Sequence, residues 1–546
     1  MPSVAIASAI LAILAIVAGW APPAQAGRPQ LAVTLRLTPI CEGRPEEPSA
    51  LDVALSFASD GAASATPPVF RMDDQVYGST GMAKLIGAAE AVDERGPVPL
   101  VRRVARDPGS GDVLELAASR ATVGRVTFRY RARSVAAAAP GARYGLRHDA
   151  TGIGGLGAYF LVLPESPRRH RIRIEWAAAA CGPAPARDGR DEMRAMTSFG
   201  SGPGPFETTG VLETLRTASY FIGHPEVVAV DRGSLHVRAA WFGRPALDPT
   251  EATTWATRAL AAERAYFADD DPTPYAIFVR VLPEMGDHQN GMGQESSFLT
   301  DIGPATSFGP GLRINMAHEM LHRWLGIRLR LAGPDGSSFW FTEGFTVHLA
   351  RALLLRAGLI SADEFLSELG RATTRYFANP YRSATNEAIR QGFFDNDALS
   401  VVPYVRGSLY AAELDAAIRR AQVGARSLDD VMRELYRAAR STPENESGLR
   451  ELPVAAFRQA VFRELGQAGV DRFEAVIVRG ERPEPPSDAF GTCFAREARW
   501  FAQDPKQAGF DWVRVGGVPD DRCGAVTGVP GVLGVQLWPL CPLCPF

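Results

Sequence analysis

From Leu31 to about residue 180 the apolar positions repeat every second residue. Leu31, Val33, Leu35 and Leu37 alternate with small or polar residues, as do Val126, Phe128 and Tyr130, and again Ile172, Ile174 and Trp176. A period of two places one set of side chains on one face, so these runs predict half-buried strands. Gly and Pro clusters between them predict an antiparallel sandwich or barrel. The stretch "RDGRDEMRAMTSFGSGPGPFETTG", 187–210, interrupts the pattern and reads as a linker.

Beyond it the period lengthens. "DPTEATTWATRALAAERAYF", 248–267, carries Trp255, Leu260, Ala261 and Tyr266 at helical spacing with Asp248 or Thr250 as N-cap, and "YAIFVRVLP", 275–283, predicts a strand. From Asn315 to Pro483 nearly everything reads as helix, several segments opening on a Ser or Thr cap. The expectation is a multidomain α+β chain: a β-sandwich-like N-terminal domain over 27–200, an α/β catalytic domain over 201–375, and a helical C-terminal domain over 376–482. A Cys-containing tail, 483–546, is too short and wrongly patterned for a complete PDZ domain.

Composition narrows this picture. A net charge of −3 with 22% charged residues predicts no nucleic-acid partner. Only Lys84 and Lys506 are lysines among 58 basic residues, a genome-composition signature from which no function follows. Residues 1–26 contain an uncharged run, Val4 to Trp20, followed by Ala24-Gln25-Ala26, and predict a cleaved export signal; a membrane association would follow only if this segment stayed uncut. Export to a periplasmic or extracellular space makes the six cysteines readable as disulfides, most simply 41 with 181, 493 with 523 and 541 with 544. No partner protein is inferable.

The chemistry concentrates in "MAHEMLHRWLG", 316–326, in a chain with eight histidines. The run from Asn315 to Leu325 lacks Pro and Gly and reads as one helix. His318 and His322 then lie one turn apart, Cβ atoms about 5–6 Å from each other, where two imidazoles can meet on one ion. Glu319 sits about 100° around the helix, able to reach a water at such an ion. A structural helix with two incidental histidines also fits this spacing, so a third ligand matters. Glu343 in "FWFTEGFTVHLA" opens the next helix after a hydrophobic run and completes a His, His, Glu set with an open fourth position for zinc. Position 328 is Arg, which excludes the pattern with a third histidine six residues on. The remaining six histidines lack ligand spacing.

"HEMLHRW" with Arg328 close behind, "WFTEGFTVHLARALLLRAGLIS" and "VVPYVRGSLYAAELDAAIRR" together resemble the glycyl aminopeptidase-like family of gluzincin zinc metallopeptidases, relatives of aminopeptidase N and leukotriene A4 hydrolase. The resemblance implies a thermolysin-like catalytic domain, one zinc ion per chain, peptide substrates and release of small N-terminal residues. It implies that Tyr404 of "VPYVRG" hydrogen-bonds the tetrahedral intermediate, with Arg406 of the same motif near the substrate. In the Gly-rich segment "NGMGQESS" it implies substrate binding by Gly291, Gly293 and Glu295, although Glu295 falls one place from the aligned acid. The other reading kept open is a catalytically inactive exported binding protein on the same fold.

Overall fold

The computed structural model describes residues 31–42, 47–58, 66–107, 111–166, 168–177, 193–202, 204–334, 336–445, 449–501 and 508–516. The expected export signal and four of the six cysteines lie outside them. Cys41 and Cys493 are disulfide-bonded, and each expected pairing has a member outside the described residues.

The period-two runs form strands. Leu31–Ile40 lies between Ala50–Ala58 and His170–Trp176 in a seven-stranded sheet that also holds Arg125–Arg133. Val33, Leu35 and Leu37 point inward with at most 1% exposure, as the alternation requires. A four-stranded sheet packs on this one, with Phe70 stacked on Phe128 at 4.0 Å. The sheet is not wholly antiparallel: Leu31–Ile40 runs parallel to His170–Trp176.

The linker expectation for 187–210 fails where that stretch is described. Arg194–Thr197 pairs with Ser219–Gly223, and Phe206–Gly210 pairs with His170–Trp176. Ala195 and Met196 are buried by that pairing, so two short strands separated by Gly and Pro turns mimic a linker in composition.

A five-stranded sheet organises the centre. Leu235–Phe242, Tyr275–Val281 and Ser297–Ile302 run parallel, with Glu226–Arg232 antiparallel on one edge and Met292–Gly293 antiparallel on the other. Tyr275–Val281 is buried on both faces, which is why "YAIFVRV" is almost continuously apolar. Ala276 and Phe278 join the core of the N-terminal sheets, while Tyr275, Ile277 and Val279 join the helical core. The helix Pro249–Phe267 precedes the middle strand, and Asp248 is its cap, accepting from the Thr250 N–H at 2.8 Å.

Behind the sheet lie the helices Pro310–Leu321, Thr346–Arg356, Ala362–Phe377, Asp397–Ala421, Leu428–Ser441 and Val454–Phe473, sharing one core with it. The expected boundary after residue 375 therefore falls inside a helix. One detail departs from the all-helical expectation: Arg330–Ala332 and Glu451–Pro453 form a small parallel ribbon. The helix Asp397–Ala421 carries Pro403 within it. The tail forms a hairpin, Phe494–Trp500 with Ala508–Arg514, which packs Phe510 on Phe377. No helix among the described residues is long and apolar enough to cross a membrane.

Candidate metal centre

The histidine helix spans Pro310–Leu321 and ends at His322, one turn earlier than the sequence suggests. The stop has a use. Because the chain turns after His322, the Leu325 carbonyl comes within 3.1 Å of His322 Nδ1. A proton on Nδ1 donates to that carbonyl and leaves the Nε2 lone pair free for a metal. His318 Nε2 lies 3.0 Å from His322 Nε2.

Glu343 reaches the pair from a π-helical turn, Trp340–Phe345, that continues into Thr346–Arg356. Its Oε2 is 3.2 Å from His318 Nε2 and 3.6 Å from His322 Nε2. Donors about 2.0–2.1 Å from a tetrahedral ion are about 3.3 Å from one another, so these three separations match the edges of one zinc tetrahedron. His318, His322 and Glu343 are also the group that could hold a metal among the described residues.

Two close backbone approaches set this geometry. The turn holding Glu343 crosses Asp397–Ala421 at Gly344 and Gly407, where a Cβ on Gly344 would stand 2.5 Å from the Gly407 Cα. Glu343 and Tyr404 flank that crossing, so the absence of two side chains brings the carboxylate and the phenol together. On the opposite side Gly293 lies against His322, and a Cβ there would sit 2.5 Å from the His322 Cβ. Gly291 lies equally close to the Glu319 carboxyl group. These two glycines, expected to bind substrate, are packed against the histidine helix as a wall of the site.

The electrostatics call for a cation. Burial pulls the His322 pKa down, but the Glu343 and Glu319 carboxylates and the Leu325 carbonyl outweigh it and lift it to about 9. Burial raises Glu343, and the two imidazoles outweigh that, holding it well below the usual carboxylate range. Glu319 is raised, first by burial, with Glu343 adding to it and both imidazoles and the Gly293 N–H opposing. Tyr404, with its ring 6.0 Å from that of His318, is raised well above its ordinary value by burial and then by Glu343 and Glu319, and stays a hydrogen-bond donor.

Two expected site residues lie elsewhere. The Glu295 carboxylate is exposed and paired with Arg328 at 3.2 Å, its Oε1 accepting from the guanidinium, so it is not free to take an ammonium group. Gln294, the neighbour nearer the wall, is buried, its amide donating to Ser219 at 2.7 Å and accepting from Ser198 at 2.6 Å. Arg406 is buried with its guanidinium donating to the Ala384 carbonyl at 2.7 Å; two residues along a helix from Tyr404, it faces away from the metal ligands. No motif or spacing points to Tyr144, whose hydroxyl donates to the Gly291 carbonyl. A cleft of about 1880 Å³ opens beside the wall, lined by Met292, Gly293, Gly326 and Tyr77.

Residues 312–396 match the family of M61 glycyl aminopeptidases. That stretch holds both histidines, Glu319 and Glu343. The three donors of the triangle thus all fall inside the matched stretch. The fold of the wider chain is similar to an aminopeptidase N family protein from Idiomarina loihiensis, at 14% identity and a TM-score of 0.67 over 86% of this chain and 79% of that one. It is also similar to an M1 zinc metallopeptidase from Deinococcus radiodurans, at 18% identity and a TM-score of 0.51 over 84% and 97%. A mutant of that enzyme, 17% identical with a TM-score of 0.52 over the same shares, is bound to a Tyr-Ser-Ala substrate. No curated protein sequence matches. The mixed helix-and-sheet fold is thus similar to that of M1 aminopeptidases, and the M61 match covers the stretch that carries the donor triangle.

Proposed function

We propose that the chain is an exported aminopeptidase that hydrolyses peptide bonds at one zinc ion held by His318, His322 and Glu343. The observation that carries the reading is the donor triangle of 3.0, 3.2 and 3.6 Å with Glu319 beside it. Zinc in such a set acts as a Lewis acid toward water and the scissile carbonyl. Glu319, buried and raised in pKa, takes the proton of the attacking water and delivers it to the departing amine nitrogen. The phenol of Tyr404 donates a hydrogen bond to the oxygen on which negative charge develops. Export accords with the oxidised Cys41 and Cys493.

The pairing of Glu295 with Arg328 favours a second reading in which a free amino terminus is not required. Aminomethylcoumarin substrates with free and acetylated amino termini, and an internally quenched peptide, separate the two. Chelator-sensitive release from free amino acids alone supports the aminopeptidase; equal or better cleavage of blocked or internal bonds supports the second. No hydrolysis by zinc-replete protein would leave the binding-protein alternative.

A further inference from the structure

We propose that Tyr144, from the N-terminal β-rich half of the chain, is a positioning residue for Glu319; this rests on the peptidase reading above. Tyr144 adopts φ 59, a left-handed backbone conformation that few aromatic residues take and that persists only where the surroundings enforce it. Here the enforcement is a buried ion pair on the central sheet. Arg280, on the strand Tyr275–Val281, is bound by both oxygens of Asp301 on the neighbouring strand, at 2.6 and 2.9 Å. Its remaining donors reach the Gly145 carbonyl in the Tyr144 turn at 2.7 Å and the Gly154 carbonyl on the strand Gly152–Leu156 at 3.1 Å. Asp301 also accepts from the Tyr144 N–H at 3.4 Å.

The turn so held aims the phenol at one place. Its hydroxyl donates to the carbonyl of Gly291, the glycine packed on the Glu319 carboxyl group. Gly291 belongs to an edge segment whose ladder is only two residues long, Met292 and Gly293 against Phe298 and Leu299. Such a short edge needs other anchors. At its far end Arg323 donates to the Glu295 carbonyl at 2.7 Å, and Gln294 is fixed by serines. At the near end Asn290 is tied to the neighbouring strand, its N–H donating to the Asp301 carbonyl at 3.0 Å and its carbonyl accepting from the Thr300 hydroxyl, and Tyr144 adds the hydrogen bond on Gly291 itself, the residue packed on the Glu319 carboxyl group. Burial, followed by the Glu319 carboxylate, raises the Tyr144 phenol, which keeps its proton available for that hydrogen bond.

The hydroxyl can be removed without altering the ring. Tyr144→Phe should bind zinc in full and lower kcat on the order of 10-fold, with KM within about twofold, since a base displaced by a fraction of an ångström costs turnover rather than binding. Tyr159→Phe is the control: it removes another buried phenol, 3.5 Å from the Val76 carbonyl in the same core, and should leave kcat per bound zinc unchanged. A Tyr144→Phe kcat equal to the wild type, or reduced only in proportion to zinc content or folded fraction, overturns the proposal. An inactive wild type overturns the peptidase reading with it, whereas an active wild type matched by Tyr144→Phe overturns this proposal alone.

Discussion

Two clusters of buried charge sit at opposite ends of the same short segment, and they are built on opposite principles. Beyond His322, Arg323 and Arg328 face Asp269 and Asp271 in a closed set. Arg323 lies 2.8 Å from Asp271, Arg328 lies 2.9 Å from Asp269 and 2.6 Å from Asp271, and the Trp324 indole adds a hydrogen bond to Asp269 at 2.9 Å. Two guanidiniums meet two aspartates, and Glu295 joins Arg328 from the surface. One turn earlier, Glu319 and Glu343 face two imidazoles with no guanidinium among them, and His318 Nδ1 is buried without a partner. The first cluster is complete in itself and fastens the end of the histidine helix to the loop between Pro249–Phe267 and Tyr275–Val281. The second becomes complete only with a cation, which marks it as a binding site rather than a fastening.

The sharpest way to separate the two is to remove one charge from each. Glu319→Gln takes the proposed base out of the incomplete cluster. Its zinc content should match the wild type while kcat falls on the order of 10³–10⁴-fold, about 4–5 kcal/mol. Arg323→Met opens the complete cluster. It should cost about 3–5 kcal/mol in denaturant unfolding, because Asp269 is left buried with less compensation, and the protein that remains folded should bind zinc normally. A loss of activity without loss of stability would reverse the roles assigned to the two clusters.

Acid titration tests a third buried group that belongs to neither. His348 is buried, and its pKa is lowered to about 4, chiefly by burial, with Arg356 and Arg351 adding to it and Asp415 and Asp429 opposing. Between pH 4 and 6.5 the unfolded chain therefore binds a proton that the folded chain refuses. Stability is fully present above about pH 6.5 and falls as pH drops toward 4, by about 3 kcal/mol from this residue. His348→Gln should flatten that part of the pH–stability curve. A smaller effect is expected at the proposed oxyanion donor: Tyr404→Phe should lower kcat by roughly 10²-fold, about 2.7 kcal/mol, with zinc content unchanged.

Much of this site was legible in the sequence, because helix spacing is a local property. His318, His322 and Glu319 follow from a period of 3.6 residues, and Asp248 from capping chemistry. What escaped notice depends on contacts between residues far apart. Glu295 looked available because Arg328 is 33 positions away. Arg406 looked functional because its motif is, yet only the packed helix shows it pointing at the Ala384 carbonyl. The ribbon joining Arg330–Ala332 to Glu451–Pro453 spans over a hundred residues and leaves no local trace. Residues 194–210 were misread for the opposite reason: a composition rich in Gly and Pro hid two short ladders whose partners lie elsewhere.

The claim that everything else depends on is the metal triangle, and X-ray absorption at the zinc edge tests it most directly. Zinc-loaded protein should show two imidazoles and a carboxylate oxygen at about 2.0–2.1 Å with no sulfur. Glu343→Ala should lose the ion or its ordered shell. A sulfur-containing shell, or an unchanged two-imidazole spectrum and zinc stoichiometry in Glu343→Ala, would contradict the account.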